Sequence, residues 1–182
     1  MSPLFIFVYS IWLLSEIALN RLLHSNKTDK QNADNNSLSL IWITIIVAVS
    51  IATYISMRYY LPVYNNPAIE YTGIAGMILR FAAVRSLGKF FTVDVTIRKD
   101  HQLKKDGLYK YLRHPSYFAS LISFIGFGIS LNNWVSLLIV TVSVITVFII
   151  RINVEEKALM DRFGAEYAEY KKHSKSLIPF IY

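Results

Sequence analysis

A histidine stands directly before a proline, with a tyrosine three residues on, in Arg113-His114-Pro115-Ser116-Tyr117. Proline suits the first turn of a helix, where its missing N–H costs nothing. Pro115 is therefore expected to open a helix with His114 at its N-terminal edge. Backbone N–H groups and the positive end of the helix dipole gather at such an edge and make a ready anion site. Tyr117 falls on the same helix face as His114. A second group follows: Arg151, Glu155 and Leu159 are spaced i, i+4, i+8 and share a face. Blander readings stand beside these. Arg151 and Glu155 also fit a plain i, i+4 ion pair in its poorer order. Arg151 fits an anchor at the end of a membrane span, and Tyr109, Tyr111 and Tyr117 fit an aromatic belt. His114 also fits an interfacial histidine bound to water, and His101 a solvated loop residue.

The elements that must position these groups are written in the charge pattern. The chain has 182 residues, 54% of them hydrophobic and 17% charged. With no cysteine there is no disulfide framework, thiolate metal cage, catalytic thiol or palmitoyl anchor. The four histidines are scattered without HExxH spacing, so no metal site is expected, and the seven glycines form no GxGxxG or P-loop pattern. Crossing a bilayer takes roughly 20 apolar residues as a helix. Leu38–Met57 offers 20 residues without a charge, and Pro115–Ile150 offers 36. The longer run would make a single helix of about 54 Å, too long for one crossing. Asn132-Asn133 at its centre predicts a helical hairpin. Weaker runs lie at Pro3–Leu23, broken by Glu16 and Arg21, and at Tyr71–Leu87, broken by Arg80 and Arg85. The expected fold is all-α and integral to the membrane, one unit over 1–182. Its five spans are 3–23, 38–58, 71–87, 115–131 and 134–150, with polar segments at 88–114 and 151–182. The first helix is expected to be retained, since Met1–Phe5 carries no basic residue and no small-residue cleavage site follows.

The net charge of +7 alone fits nucleic acid or an anionic membrane face. With the N-terminus outside, five crossings put 17 of the 19 basic residues on the cytoplasmic side. The basic character then belongs to cytoplasmic loops, and nucleic acid is not expected as a partner. Arg80 within a span needs protein or water around it; it either pairs with Glu16 across the bundle or snorkels. Gly73 and Gly76 allow close helix contact. Thr92–Arg98 alternates like an extended stretch, Asp106-Gly107 reads as a turn, and Phe163-Gly164 reads as a helix stop before a short helix carrying Tyr167 and Tyr170. Lys171, Lys172 and Lys175 are expected as a lipid-facing charge cluster.

Taken together, RHPSY at Arg113–Tyr117, the preceding Gly107–Tyr109 turn and His101 resemble the isoprenylcysteine carboxyl methyltransferase family. So does the R-x3-EE-x6-FG-x2-Y-x2-Y arrangement from Arg151 to Tyr170, with its IPF-like tail. The likeness spans roughly Arg80 to Tyr182, and phospholipid methyltransferases and the C-terminal parts of sterol reductases look related there. It implies an integral-membrane enzyme that uses S-adenosylmethionine in a cytosolic pocket, releases S-adenosylhomocysteine and admits a lipophilic acceptor from the bilayer. Carried over by position, cofactor contacts fall on His101, Gln102, Leu103, Tyr109, His114, Pro115, Tyr117 and Glu155, and Arg151 faces the acceptor carboxylate. Two places depart from the pattern. Asp94 stands where eukaryotic members have a neutral polar residue, and Gln-Leu-Lys-Lys follows His101 where relatives are more apolar.

These residue types suit methyl transfer. The start of the fourth span, with His114, can receive the donor's carboxylate, and Glu155 its amine or ribose hydroxyls. Tyr109 and Tyr117 offer aromatic faces, where a cation–π contact is worth about 0.5–2 kcal/mol. A carboxylate acceptor is already ionised at neutral pH, so no general base is expected and rate comes from proximity and desolvation. Other acceptors stay open: a phospholipid amine or a small thiol. So do an NADPH-dependent, sterol-reductase-like enzyme and a membrane scaffold or lipid-binding protein without turnover. Oligomeric state is not legible.

Overall fold

The computed structural model describes residues 3–22, 37–63, 72–88 and 103–179. Six helices follow one another: α1 (Pro3–Leu22), α2 (Ser37–Arg58), α3 (Thr72–Leu87), α4 (Pro115–Ser130), α5 (Trp134–Phe163) and α6 (Ala165–His173), with a 3₁₀ turn at Gly107–Lys110 before α4. No strand occurs among the described residues, only an isolated parallel bridge between Leu112 and Lys175. His101, Gln102, Asp94 and the Thr92–Arg98 stretch lie outside the described residues.

The anticipated hairpin is present. Asn132 takes the left-handed backbone (φ 47°) that turns the chain, a conformation asparagine tolerates better than most residues. Asn133 caps α5, its side-chain oxygen accepting from the Ser136 amide at 3.0 Å. The same turn is tied to the segment after α2. Asn132 Oδ1 accepts from the Val63 amide at 2.8 Å, Asn133 Nδ2 donates to the Tyr59 carbonyl at 2.6 Å, and the Trp134 amide donates to the Leu61 carbonyl at 3.0 Å. α2 therefore runs antiparallel to α5, with its C-terminal end beside the turn.

α5 presents Val140, Val144, Val147, Phe148, Arg151 and Ile152 as one buried stripe at helical spacing. α3 lies against α4 through small residues. A Cβ added at Gly126 would strike the backbone of Gly73, and one at Gly76 would lie 2.6 Å from Ser123 Oγ and 2.8 Å from the Ala119 carbonyl. Only bare backbone allows that approach. α1 closes the bundle. Trp12 packs edge-on against Phe124 at 4.7 Å and Tyr9 against Phe127 at 5.4 Å. Glu16 pairs with Arg80, whose Nη2 donates to Glu16 Oε2 at 2.6 Å and whose Nη1 donates to the Ser116 carbonyl at 3.2 Å. Of the two fates open to Arg80, pairing is the one observed.

α2 and α5 are the described helices long and apolar enough to cross a membrane. Neither is a buried core helix. Only 17% of the apolar window of α2 and 39% of that of α5 is buried, and Ile43, Ile46, Val47 and Tyr54 face outward. So wide an apolar exposure on a helix that is hydrophobic all round calls for lipid. The apolar part of α1 (Ile6–Leu19) and α4 are shorter than a full span, and α3 has 16 residues. The apolar part of α5 ends at Ile150, and charged residues begin at Arg151.

Candidate functional site at the charged end of the bundle

The bundle end away from the Asn132-Asn133 turn gathers the charges. Pro115 occupies the first turn of α4 with His114 as its N-cap, and no side chain caps that turn. The backbone just before α4 is held by the C-terminal tail. The Arg113 amide donates to the Lys175 carbonyl at 2.8 Å, the His114 amide to the Ser176 carbonyl at 3.1 Å, and the Lys175 amide to the Tyr111 carbonyl at 3.0 Å. The Arg113 guanidinium also donates to the Ser174 carbonyl. Gly164 (φ 50°) ends α5 and lets α6 fold back. The Tyr170 hydroxyl on α6 donates to the Tyr109 carbonyl.

His114 is 3% exposed. Its Nε2 lies 3.4 Å from Glu156 Oε1, and its Nδ1 lies 3.8 Å from Glu155 Oε2. Glu156 is the hub: its carboxylate accepts from Arg113 Nε at 2.7 Å, Lys171 Nζ at 2.7 Å and Ser176 Oγ at 3.3 Å. Burial opposes ionisation of Glu156, but donors from His114, Lys171 and Arg113 outweigh it and hold the carboxyl well below its usual range. The side chain of Glu155, one residue earlier, is 34% exposed.

Arg151, 1% exposed, lies on the inner side of the same cluster. Its Nε donates to the Tyr117 hydroxyl at 3.4 Å, and its Nη1 donates to Ser37 Oγ at the start of α2. The Tyr117 ring meets His114 at 5.8 Å and Phe148 at 5.1 Å. Tyr109, on the 3₁₀ turn, is buried and reaches the Ala83 carbonyl at 3.5 Å. Burial, and after it the nearby Glu155 charge, pushes its hydroxyl pKa up. Burial likewise pushes Tyr170 up to about 12. The buried Tyr167 hydroxyl has no hydrogen-bond partner among the described residues, and burial, then the Glu156 charge, raises its pKa.

Of the residues singled out in the sequence, His114, Pro115, Tyr117, Arg151 and Glu155 converge, with Tyr109 at their edge. Leu103 is half-buried at the start of the segment leading into the 3₁₀ turn. Sequence reasoning missed Glu156, Ser37 and Tyr167. Lys171 departs from the lipid-facing cluster expected of it: it turns back to Glu156, whereas Lys172 pairs with Glu169 at 2.6 Å on the surface. Two basic residues far apart in sequence, Arg113 and Lys171, needed an acidic partner, and the second glutamate of the Glu155-Glu156 pair was the available signal.

The fold is similar to that of a solved intramembrane enzyme. The structure described as that of the eukaryotic intramembrane Ras methyltransferase ICMT superposes with a TM-score of 0.59 at 28% identity, over 81% of this chain and 53% of that one. Residues 69–161 match the isoprenylcysteine carboxyl methyltransferase (ICMT) family, and the chain belongs to that family. The protein-S-isoprenylcysteine O-methyltransferase of Schizosaccharomyces pombe is 37% identical over 121 residues, covering 65% of this chain and 51% of that protein. The protein-S-isoprenylcysteine O-methyltransferase B of Arabidopsis thaliana is 38% identical over 110 residues, 59% of this chain and 56% of the relative. The protein-S-isoprenylcysteine O-methyltransferase of Saccharomyces cerevisiae is 41% identical over 110 residues, 59% of this chain and 46% of the relative. The chain thus spans about half the length of these curated relatives.

Proposed function

We propose that this chain is an S-adenosylmethionine-dependent methyltransferase that methylates the carboxylate of an isoprenylcysteine-type lipophilic acceptor. One observation carries the reading: His114, Glu155 and Arg151, which lie up to 41 positions apart in the sequence, meet at one end of the bundle. The family and the names of its members supply the reaction class.

The residues present fit the donor. Glu155 keeps a half-exposed carboxylate beside His114, suited to an amine or to ribose hydroxyls. The start of α4 has no side-chain cap and suits an anionic group. Tyr109 and Tyr117 bring aromatic faces, and the Tyr167 hydroxyl, without a hydrogen-bond partner among the described residues, is a buried polar group in the field of Glu156 and Glu155. His101, Gln102, Leu103 and Pro115 complete the proposed contact set. When bound, S-adenosylmethionine supplies a methyl carbon made electrophilic by its positive sulfur. Arg151 would hold the acceptor carboxylate by paired hydrogen bonds, with the hydroxyls of Tyr117 and Ser37 already turned to that guanidinium. The buried stripe of α5 beside it is apolar and suits an acceptor arriving from lipid. No residue need act as base, because the acceptor is already ionised; the chain contributes proximity and exclusion of water.

The proposed topology is five crossings of one membrane unit, the N-terminus outside and the charged end cytoplasmic. α1, α3 and α5 end at the charged end, α2 and α4 begin there, and the positive-inside count favours the same orientation. The test is methyl incorporation from labelled donor by purified protein in detergent. A prenylcysteine carboxylate, a phospholipid amine and a small thiol are offered in parallel. Label in the prenylcysteine ester is the expected result; label only in the lipid or thiol would move the acceptor assignment, and none in any would remove the enzyme reading.

A further inference from the structure

We propose that Glu156 is the positioning residue of this site: it fixes which nitrogen of His114 carries the proton and latches the C-terminal tail onto the start of α4. The inference rests on the proposed methyl-donor reading and gives a role to a residue that reading leaves idle.

Two adjacent glutamates on one helix divide the work. The Glu155 side chain is 34% exposed and approaches His114 only to 3.8 Å. That of Glu156 is 12% exposed and receives donors from α4's entry, α6 and the tail: Arg113 Nε at 2.7 Å, His114 Nε2 at 3.4 Å, Lys171 Nζ at 2.7 Å and Ser176 Oγ at 3.3 Å. Three of these donors meet Oε1 and Lys171 meets Oε2, so both oxygens are engaged by the protein. An ionised carboxylate only accepts, so the proton facing it sits on His114 Nε2. That leaves Nδ1 turned toward Glu155. A carboxylate behind a functional histidine sets ring orientation and tautomer in this way.

The same carboxylate holds the strap. The tail accepts the amides of Arg113 and His114 through the Lys175 and Ser176 carbonyls, and Glu156 binds the side chains of Arg113 and Ser176 at the two ends of that pairing. Releasing Glu156 frees the strap, and with it the backbone from which α4 starts. Its effect on a ligand at that helix start is therefore indirect, through His114 and the strap.

The test compares Glu156→Ala and Glu156→Asp with the unaltered protein in detergent. S-adenosylhomocysteine affinity is expected to fall roughly tenfold to a hundredfold in Glu156→Ala, the range for losing a charged hydrogen-bond hub, and to recover in part in Glu156→Asp. Without ligand, ¹⁵N signals of the His114 ring should show the proton leaving Nε2 in Glu156→Ala. Amide exchange should quicken at Arg113 and His114 but not at Trp134, whose bond belongs to the far turn. An unchanged His114 ring and affinity within about twofold would overturn the proposal. Should Glu156→Ala fail to fold, Lys171→Met removes a single, partly exposed donor. It should quicken His114 exchange and weaken S-adenosylhomocysteine binding several-fold, and behaviour like the unaltered protein would overturn the proposal equally. An unaltered protein that binds no S-adenosylhomocysteine overturns the donor reading instead, while the two ligand-free measurements still decide the latch.

Discussion

The two ends of the bundle solve the same problem differently. Each must satisfy backbone groups where helices start and stop. At the turn end the partners are neutral: Asn132 and Asn133 spend their side-chain amides on Val63, Tyr59 and Ser136. At the charged end Arg113, His114, Arg151, Glu155, Glu156 and Lys171 lie within one cluster. Both oxygens of Glu156 are engaged by protein donors there, while Glu155 keeps a partly exposed carboxylate. Chemistry needs groups that the fold has gathered and left available, and among the described residues the charged end has them.

The contrast can be broken most forcefully at Arg151. Arg151→Ala should raise the acceptor KM roughly tenfold to a hundredfold, the size expected for a lost charged hydrogen bond, while calorimetry finds S-adenosylhomocysteine affinity kept. A matched loss of both would merge the acceptor and donor ends that the account separates. At the seam between α3 and α4, Gly126→Ala drives a methyl group into Gly73 backbone. It should cost about 1–3 kcal/mol of stability by overpacking, read in a thermal or denaturant melt. The turn end offers the control. Asn133→Ala should cost about 1 kcal/mol through the lost cap and leave ligand affinity per folded molecule unchanged. A fall in affinity there would mean that the two ends are coupled.

The smallest expected effect is with pH. The carboxyl of Glu156 is depressed from its ordinary 4.5 in the folded chain. Its contribution is therefore fully present above pH 4.5 and is lost as pH falls below that toward the folded value. Melting temperature between pH 5 and pH 3 should drop more steeply in the unaltered protein than in Glu156→Gln. Parallel curves would contradict the assignment.

What the sequence made legible was local. A proline after a histidine marked the start of α4, paired asparagines in a charge-free run marked the hairpin, and Phe163-Gly164 marked the stop of α5. Each follows from capping and backbone preference within a few residues. Arg80 and Glu16 stood out because charge in an apolar run must be answered, although the sequence left two answers open. The hub at Glu156 was marked only by the doubled glutamate, which does not name its partners. Its donors come from Arg113, Lys171 and Ser176, and nothing local predicts that the tail returns to pair with the entry of α4. Ser37 on Arg151 is likewise a contact across 114 positions. The family likeness pointed to Glu155 and passed over its neighbour for the same reason: motif spacing marks a ligand-facing residue more readily than the residue that holds its partners. The assignments of His101 and Gln102, and the departure at Asp94, fall outside the described residues.

His114 and Glu155 are proposed to grip one sulfonium nucleoside at the charged end. The most direct test is a calorimetric titration of S-adenosylhomocysteine into the purified protein and into His114→Ala and Glu155→Ala, with NADPH as the competing ligand. Saturable binding to the unaltered protein, a loss of roughly tenfold or more in each variant, and no response to NADPH are expected. Equal affinity in all three proteins, or a response to NADPH alone, would contradict the proposal.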